Sequence, residues 1–514
     1  MAGRQELLAR DRPAWCWSPP SQKTLEMTKT KSRSRWFSAE YNEYIHMSLR
    51  VSFIHPDLGI GGAERLVVDA AVGVQRLGHS VVVYTSHHDP NHCFDETRNG
   101  QLTVRHVPPP VPRAINGKFH ILFAHARQLH LSLHLLSPWA PKYDVFFVDQ
   151  LSTTIPFLRI IARTPVVFYC HFPDKLLASG DVALKNDKPI SLLKRVYRWP
   201  MDWLEEVTTR QADVILSNSN FTASVFRSHF SSIGRTPRTV YPGINIAAYE
   251  TPVDASDPDV VAVVSDTPTF LSLNRFEKKK NAALAIEAFA KLRKRVLDLP
   301  KMRLVVAGGY DPRLEDNMQT FYGLIDLVRA NSLTCNVIKS ASSSVRIPEL
   351  NTNPTDPDVL FLLNFSTQQR TALLTAPSTR ALLYTPANEH FGIVPIEAMA
   401  CGLPVLACDS GGPTESTVVQ PPEERTGWLC RPDAEAWAEA LVEIVSISAE
   451  ERDALSRRAK DRARNVFGME AMALRLEEAL REAVAMGPPG GASWLFVVMV
   501  FGFLVAYFIS SLAM

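Results

Sequence analysis

Cysteine is scarce and poorly placed for a scaffold: the seven in 514 residues (Cys16, Cys93, Cys170, Cys335, Cys401, Cys408, Cys430) are odd in number, scattered and never spaced C-x-x-C. That excludes a disulfide framework and a clustered zinc site, and fits a reducing compartment. An excess of either charge is also missing. Lys and Arg number 55 against 53 Asp and Glu, a formal charge of +2, so no global field is available to grip phosphates and no nucleic-acid partner is expected. The stretch 1–46 has no apolar run of signal-peptide length. Its acids (Glu6, Asp11, Glu26, Glu40, Glu43) do not suit a mitochondrial leader either, so it is expected to be a disordered extension.

What is present is globular composition, 46% apolar and 21% charged, over a length that at roughly 150 residues per domain implies two or three domains. Short apolar runs at 51–54, 81–84, 145–148, 166–169 and 214–216 alternate with stretches of helical spacing, the first being Leu66, Val67, Ala70, Ala71, Val74 and Leu77. After Tyr241-Pro-Gly243 and the polar stretch 251–267 the pattern restarts, with runs at 270–273, 304–307, 359–363, 381–384 and 404–407 and a long helical stretch at 449–485. Strands alternating with helices predict α/β architecture: two Rossmann-like, doubly wound domains, 47–245 and 246–485, facing across a cleft. Serine-rich 340–354 reads as an insertion loop. A linker at 486–493 follows the second domain, and 494–513 carries no charge over a length sufficient for a bilayer, so a transmembrane helix is expected there. Arg475 and Arg481 upstream place the globular part in the cytosol by the positive-inside rule.

In such sheets ligands bind beyond the carboxyl ends of the strands. His55-Pro-Asp-Leu-Gly-Ile-Gly-Gly-Ala-Glu-Arg65 is a Gly-rich turn between a strand and a helix; Gly61 and Gly62 there either admit positive φ and cradle a phosphate or simply make a tight turn. A dinucleotide fingerprint would need glycine at Glu64, so a nicotinamide cofactor is excluded. Arg275 and Lys280 lie in the charged turn after the strand at 270–273, either as fixed cations for a departing diphosphate or as a solvated loop. Glu389 and Glu397 stand eight residues apart, flanking Gly392 and Ile393, whose N–H groups open a helix suited to a phosphate while the acids accept sugar hydroxyls. His171 ends a strand as a cleft residue or a packed one. Both Asp-Pro-Asp sequences (Asp257 to Asp259, Asp356 to Asp358) read as turns, and no metal is expected.

Taken together, HPDLGIGGAERL, YCHFPD, NSNFT, NRFEKKKN, VAGGYD and YTPANEHFGIVPIEAM resemble glycosyltransferase family 4, within it the dolichol-linked mannosyltransferases that form α-1,3 and α-1,6 linkages. The resemblance covers about 49–485. It implies a GT-B fold, GDP-mannose as donor, dolichyl-diphosphate-linked GlcNAc2Man as acceptor, retention of configuration, and action on the cytosolic face of the endoplasmic reticulum membrane. Membrane lipid and other lipid-linked oligosaccharide mannosyltransferases are the further partners it implies, and it implies no cofactor. By the same resemblance Glu389 and Glu397 match the E-x7-E pair near the donor sugar and the ribose. Arg275 and Lys280 match the diphosphate-binding cations, Gly61 and Gly62 the glycine-rich loop, and His171 the cleft histidine. Two other readings stay open: a phosphatidylinositol N-acetylglucosaminyltransferase type of enzyme, and a non-catalytic nucleotide-sugar-binding scaffold. The amphiphilic stretch 120–139, with Trp199 and Trp203, suits either a membrane interface or ordinary helix packing.

Overall fold

Valine, isoleucine, leucine and phenylalanine fill the central strands almost without interruption, as strands covered on both faces require. The computed structural model describes residues 47–115, 120–177, 192–295, 300–346, 356–488 and 502. In the first half β1 (Arg50–His55), β2 (Ser80–Thr85), β3 (Thr103–His106), β4 (Val145–Asp149), β5 (Val166–Cys170), β6 (Val214–Ser217) and β7 (Arg238–Thr239) form one parallel sheet, ordered β3-β2-β1-β4-β5-β6-β7. In the second, β8 (Thr269–Leu273), β9 (Arg303–Gly308), β10 (Cys335–Lys339), β11 (Val359–Leu363), β12 (Thr379–Tyr384), β13 (Val405–Cys408) and β14 (Gly427–Cys430) are ordered β10-β11-β9-β8-β12-β13-β14. Register is fixed by the buried runs: Val51 pairs with Val81 on one side and Val145 on the other.

The main helices are α1 (Gly62–Arg76), α2 (His120–Leu135), α3 (Leu192–Thr209), α4 (Asn220–His229), α5 (Ala283–Arg295), α6 (Glu315–Ala330), α7 (Thr367–Thr375), α8 (Ile393–Ala400), α9 (Ala434–Ser446), α10 (Ala449–Phe467) and α11 (Met469–Ala485). On α1 the residues Leu66, Val67, Ala70, Ala71 and Val74 form the buried face foreseen from their spacing. α2 buries Leu122, Phe123, Leu131 and Leu135 but leaves Ile121 and Leu133 exposed; Trp139, just after it, and Trp199 and Trp203, much later in the chain, are exposed as well.

The long helical stretch at 449–485 is broken. Gly468 is extended (φ −69, ψ 155), which separates α10 from α11. The reason is an approach by the connection between the sheets: Ile244 N–H donates to Phe467 O (2.9 Å) and Met469 N–H to Ile244 O (3.0 Å). Gly243 lies so close that a Cβ on it would come within 2.9 Å of Met469 Cα. Beyond this crossing, α11 buries Met469, Met472, Leu476, Ala479, Leu480 and Ala483 in the core of the first sheet, although it follows the second in the chain.

The expected transmembrane helix is corrected. Among the described residues no helix is long and apolar enough to cross a membrane. The long helices bury one face and charge the other; α10, 19 residues, opens Ala-Glu-Glu-Arg-Asp. Of 494–513 only residue 502 lies within the described residues, and 1–46, 347–355 and 489–493 lie outside them.

Candidate functional site

The parallel strands of both sheets aim their carboxyl ends at one cleft, and that is where the chemistry-bearing side chains gather. On the first sheet β1 ends in His55, β4 in Asp149, and β5 leads into His171. Asp149 and His55 are fully buried. Since a carboxylate only accepts, His55 donates from Nδ1 to Asp149 Oδ2 (2.7 Å). His171 Nε2 forms an ion pair with Asp149 Oδ1 (2.7 Å), and the His171 side chain is 20% exposed toward the cleft. Burial alone would push the Asp149 carboxyl up; His171 and His55 outweigh it and hold it down at about 2. Burial likewise opposes the charge on His171, but Asp149, and then Glu64 of the Gly-rich turn, raise it above its ordinary value.

Gly61 and Gly62 lie at the start of α1, as expected for a helix N-terminus open to an anion. Their conformation is not the one foreseen: neither takes positive φ, and Gly61 is extended at −167°. What bars a side chain at Gly61 is space, because a Cβ would run into the Glu64 carboxylate, whereas Gly62 faces open space.

On the second sheet β8 leads through the turn at Arg275 to the short 3-10 helix Lys278–Lys280, and β12 leads to Glu389. Lys280 Nζ meets Glu389 Oε2 at 2.5 Å across 109 residues of sequence. Burial again opposes the Glu389 charge, and Lys280 reverses it, keeping the carboxyl below its usual range. Tyr384, the last residue of β12, hydrogen-bonds Glu389 as well. Arg275 stands apart: its guanidinium pairs with Glu277 (3.1 Å) and its side chain is 68% exposed. Gly392 caps α8 in the left-handed region (φ 87), which favours glycine, and Ile393 opens the helix. Pro395 sits third in the helix, within its first turn. Glu397 does not touch Glu389's partners. Its Oε1 accepts from Tyr249 Oη (2.6 Å) and Arg370 Nη1 (3.0 Å), on the buried side of α8.

The lobes meet directly over this constellation. The Phe172 ring stacks on His390 with centroids 3.8 Å apart, and Ser219 Oγ donates to the His390 carbonyl (2.5 Å). Burial keeps His390 neutral, its imidazole lowered to about 4. Glu415 of the second lobe accepts from the Asn220 and Phe221 N–H groups (2.8 and 2.7 Å) and from Tyr241 Oη (3.0 Å), so it caps α4 of the first. The structure thus brings His171, Glu64, Lys280, Glu389 and His390 to one place, and leaves Arg275 on the rim.

Several of these residues escaped the sequence reading. Asp149 had a signal, a lone acid closing the apolar run Val-Phe-Phe-Val-Asp. Gly411 and Gly412 had the signal of a glycine pair after β13: they seat the Glu389 loop through a bridge of Glu389 with Gly411 and Gly412 N–H to Glu389 O (2.8 Å). Tyr249, Arg370 and Glu415 had none. Among the described residues no group of three or more His, Cys, Asp or Glu could hold a metal ion. The Asp-Pro-Asp acids are occupied: Asp257 caps a short helix, and Asp358 holds Arg293 and Thr334.

Residues 60–248 match the model of Glycosyltransferase Family 4, and residues 254–344 and 355–462 that of Glycosyl transferases group 1. Among solved structures the chain is similar to a sucrose-phosphate synthase from Thermosynechococcus elongatus (TM-score 0.62, 19% identity, 85% of this chain and 100% of that one). It is similar too to the catalytic domain of starch synthase IV from Arabidopsis thaliana (TM-score 0.61, 14% identity, 85% and 100%). These likenesses show the fold, two facing Rossmann-like domains in the GT-B arrangement. Sequence relatives go further: the alpha-1,3/1,6-mannosyltransferase ALG2 of Rhizomucor pusillus is 43% identical over 452 residues, 87% of this chain and 94% of the relative. That of Saccharomyces cerevisiae is 40% identical over 442 residues, 84% and 85%. With identities of this size over most of both chains, the protein belongs to the family of alpha-1,3/1,6-mannosyltransferases.

Proposed function

We propose that the protein moves mannose from GDP-mannose to dolichyl-diphosphate-linked GlcNAc2Man, forming α-1,3 and α-1,6 linkages with retention of configuration, at the cytosolic face of the endoplasmic reticulum membrane. The observation that carries the reading of the site is the Lys280–Glu389 pair at 2.5 Å, set between the N-terminus of α8 and the His171 side of the cleft. The pair is placed to exchange partners. On donor binding Lys280 turns to the diphosphate, and Glu389 is released to accept hydroxyls of the mannose.

As the bond from mannose C1 to the β-phosphate oxygen breaks, negative charge grows on GDP and positive charge on C1. Lys280, Arg275 and the α8 amides at Gly392 and Ile393 stabilise the first, and the Glu389 carboxylate stabilises the second. The acceptor hydroxyl forms the new bond to C1 from the face that GDP leaves, and its proton passes to the departing phosphate oxygen. Glu397, held by Tyr249 and Arg370, presents its remaining oxygen to the ribose. His171, whose charged form Asp149 favours, hydrogen-bonds the donor sugar from the first lobe. The exposed Leu133, Trp139, Trp199 and Trp203 suit contact with the bilayer in which the acceptor's chain resides.

The test offers purified protein a panel of nucleotide sugars and lipid-linked acceptors, with product masses and linkages read out. Glu389→Gln and Lys280→Ala are expected to cut turnover on GDP-mannose by about 100-fold or more with the fold retained. Near-normal rates in either variant refute these roles, and a product of another mass refutes the donor.

A further inference from the structure

On the side of β1 away from His171, the carboxyl ends of β2 and β3 carry basic side chains that the transfer chemistry does not use. His87 follows β2 and His106 ends β3, their rings 6.4 Å apart. Arg113 reaches Asp57 of the Gly-rich turn (2.6 Å), and Leu58 of that turn donates its N–H to the His87 carbonyl (2.9 Å). Arg127, on α2, lies along the same wall with Nη2 3.4 Å from the Ser86 carbonyl, too long for a strong bond. The nearest charges to Arg127 are Arg113 and Asp57, and it has no ion pair among the described residues. The charged groups facing His87 are Asp57, Arg113, Arg127 and His106. His88 lies beside both imidazoles and faces Asp89, and Asp57 is the carboxylate that the two guanidiniums share. Burial and the neighbouring positive groups lower the His87 value, so the two guanidiniums carry the positive charge of this wall, and an anion joining them would relieve their repulsion.

The spacing says which anion. From His171 on β5 to His87 on β2 the sheet runs β5, β4, β1, β2, three steps or about 14 Å, a span of the order of three linked sugar rings. An acceptor whose reacting mannose lies at His171 and whose two N-acetylglucosamines follow along the Gly-rich turn would deliver its diphosphate here. Exposed Ile60 in the turn and exposed Ile115, two residues after Arg113, supply apolar contact for what is attached beyond.

We propose that Arg113, Arg127, His87 and His106 form the subsite that holds the diphosphate of a lipid-linked sugar acceptor, a proposal that rests on the transferase reading above. The two arginines supply forked donors to the phosphate oxygens, and the two imidazoles supply one N–H each.

The test uses the full chain. With GDP saturating, so that the donor side is filled, binding of inorganic pyrophosphate is followed by calorimetry. In parallel the KM for a phytanyl-diphosphate-linked GlcNAc2Man is measured in detergent. Arg113→Ala and Arg127→Ala are expected to weaken pyrophosphate binding and raise the acceptor KM about tenfold each, with the KM for GDP-mannose unchanged. Arg127→Lys, which keeps the charge and loses the fork, gives a smaller rise and serves if the alanine variant does not fold. Unchanged pyrophosphate affinity and acceptor KM in the arginine variants overturn the proposal. So does loss of binding to phosphatidylserine vesicles alone, which assigns the cluster to a bilayer headgroup. A wild-type protein that never turns over GDP-mannose counts against the transferase reading, while pyrophosphate binding lost in the arginine variants still supports the subsite.

Discussion

Replacing Asp149 by asparagine keeps the shape of the side chain and removes the one charge that two histidines share. In the wild type the carboxyl is held at about 2 against an ordinary 3.8. A depression of this size corresponds to roughly 2–3 kcal/mol of net stabilisation of the ionised form. Asparagine also presents an N–H group to one of the imidazoles, so a loss of about 3 kcal/mol is expected, at the lower end of what removing one partner of a buried ion pair costs. The sign with pH follows from the direction of each shift. Because the Asp149 value is depressed, its contribution is present above about pH 4 and is lost as pH falls through about 2. Because the His171 value is raised, its contribution is complete below its ordinary value and fades as pH rises through the folded one. The difference between wild type and variant is therefore largest in mildly acid to neutral solution. Denaturant midpoints across pH measure it, and NMR titration of the His171 ring measures the electrostatic part. In the variant His171 is expected to titrate lower than in the wild type, since Glu64 and Asp174 alone then oppose burial, and turnover should fall at neutral pH. An unchanged His171 titration in a folded variant would falsify the pairing.

Two other substitutions probe the contacts that seat the site. Gly411 takes φ +70, and a Cβ there would lie 2.4 Å from Glu389 O and 2.7 Å from Glu389 N. Gly411→Ala should therefore displace the Glu389 loop, lowering kcat at least tenfold while costing about 1–3 kcal/mol; a variant with normal kcat would show that the loop's position is not needed. Glu415→Ala leaves two amides of α4 and the Tyr241 hydroxyl without their acceptor, for an expected loss of about 1–2 kcal/mol and a rise in the KM for GDP-mannose. Thermal unfolding and steady-state kinetics measure the two effects, and a variant unchanged in both removes Glu415 from any part in closing the cleft.

The central strands of both sheets were legible because they are buried on both faces and so read as unbroken apolar runs. The four strands that were not, β3, β7, β10 and β14, are the four sheet edges. There one side of the ladder faces solvent and composition relaxes: Thr-Val-Arg-His in β3 is largely exposed, and β7 is two residues long. The same distinction separates the parts of the site. Lys280, Glu389, His171 and the α8 start lie in local motifs whose residue types announce their chemistry. His55 and Asp149 are 94 residues apart and meet only because β1 and β4 are neighbours in the sheet. The break at Gly468 was hidden for a related reason. Gly468 is the one local signal, an isolated glycine in a helical pattern, and the approach of Gly243 and Ile244 from the other crossing makes it a break.

Those two crossings bear on how the site is assembled. The connection at Tyr241 to Ile244 and the return at Phe467 to Met469 run side by side and are tied by backbone hydrogen bonds. α11 then packs back on the first core, so the second lobe is anchored at both ends on one line. Rotation about that line would part Glu415 from α4, His390 from Phe172 and Ser219, and Glu389 from the His171 side, all at once. Opposed to that rotation are a carboxylate on a helix N-terminus, one ring stack and one hydroxyl bond, each individually modest. A donor that bridges Lys280 and His171 adds its own contacts to the same closure, so part of its binding energy goes into assembling both halves of the site around the bond that breaks.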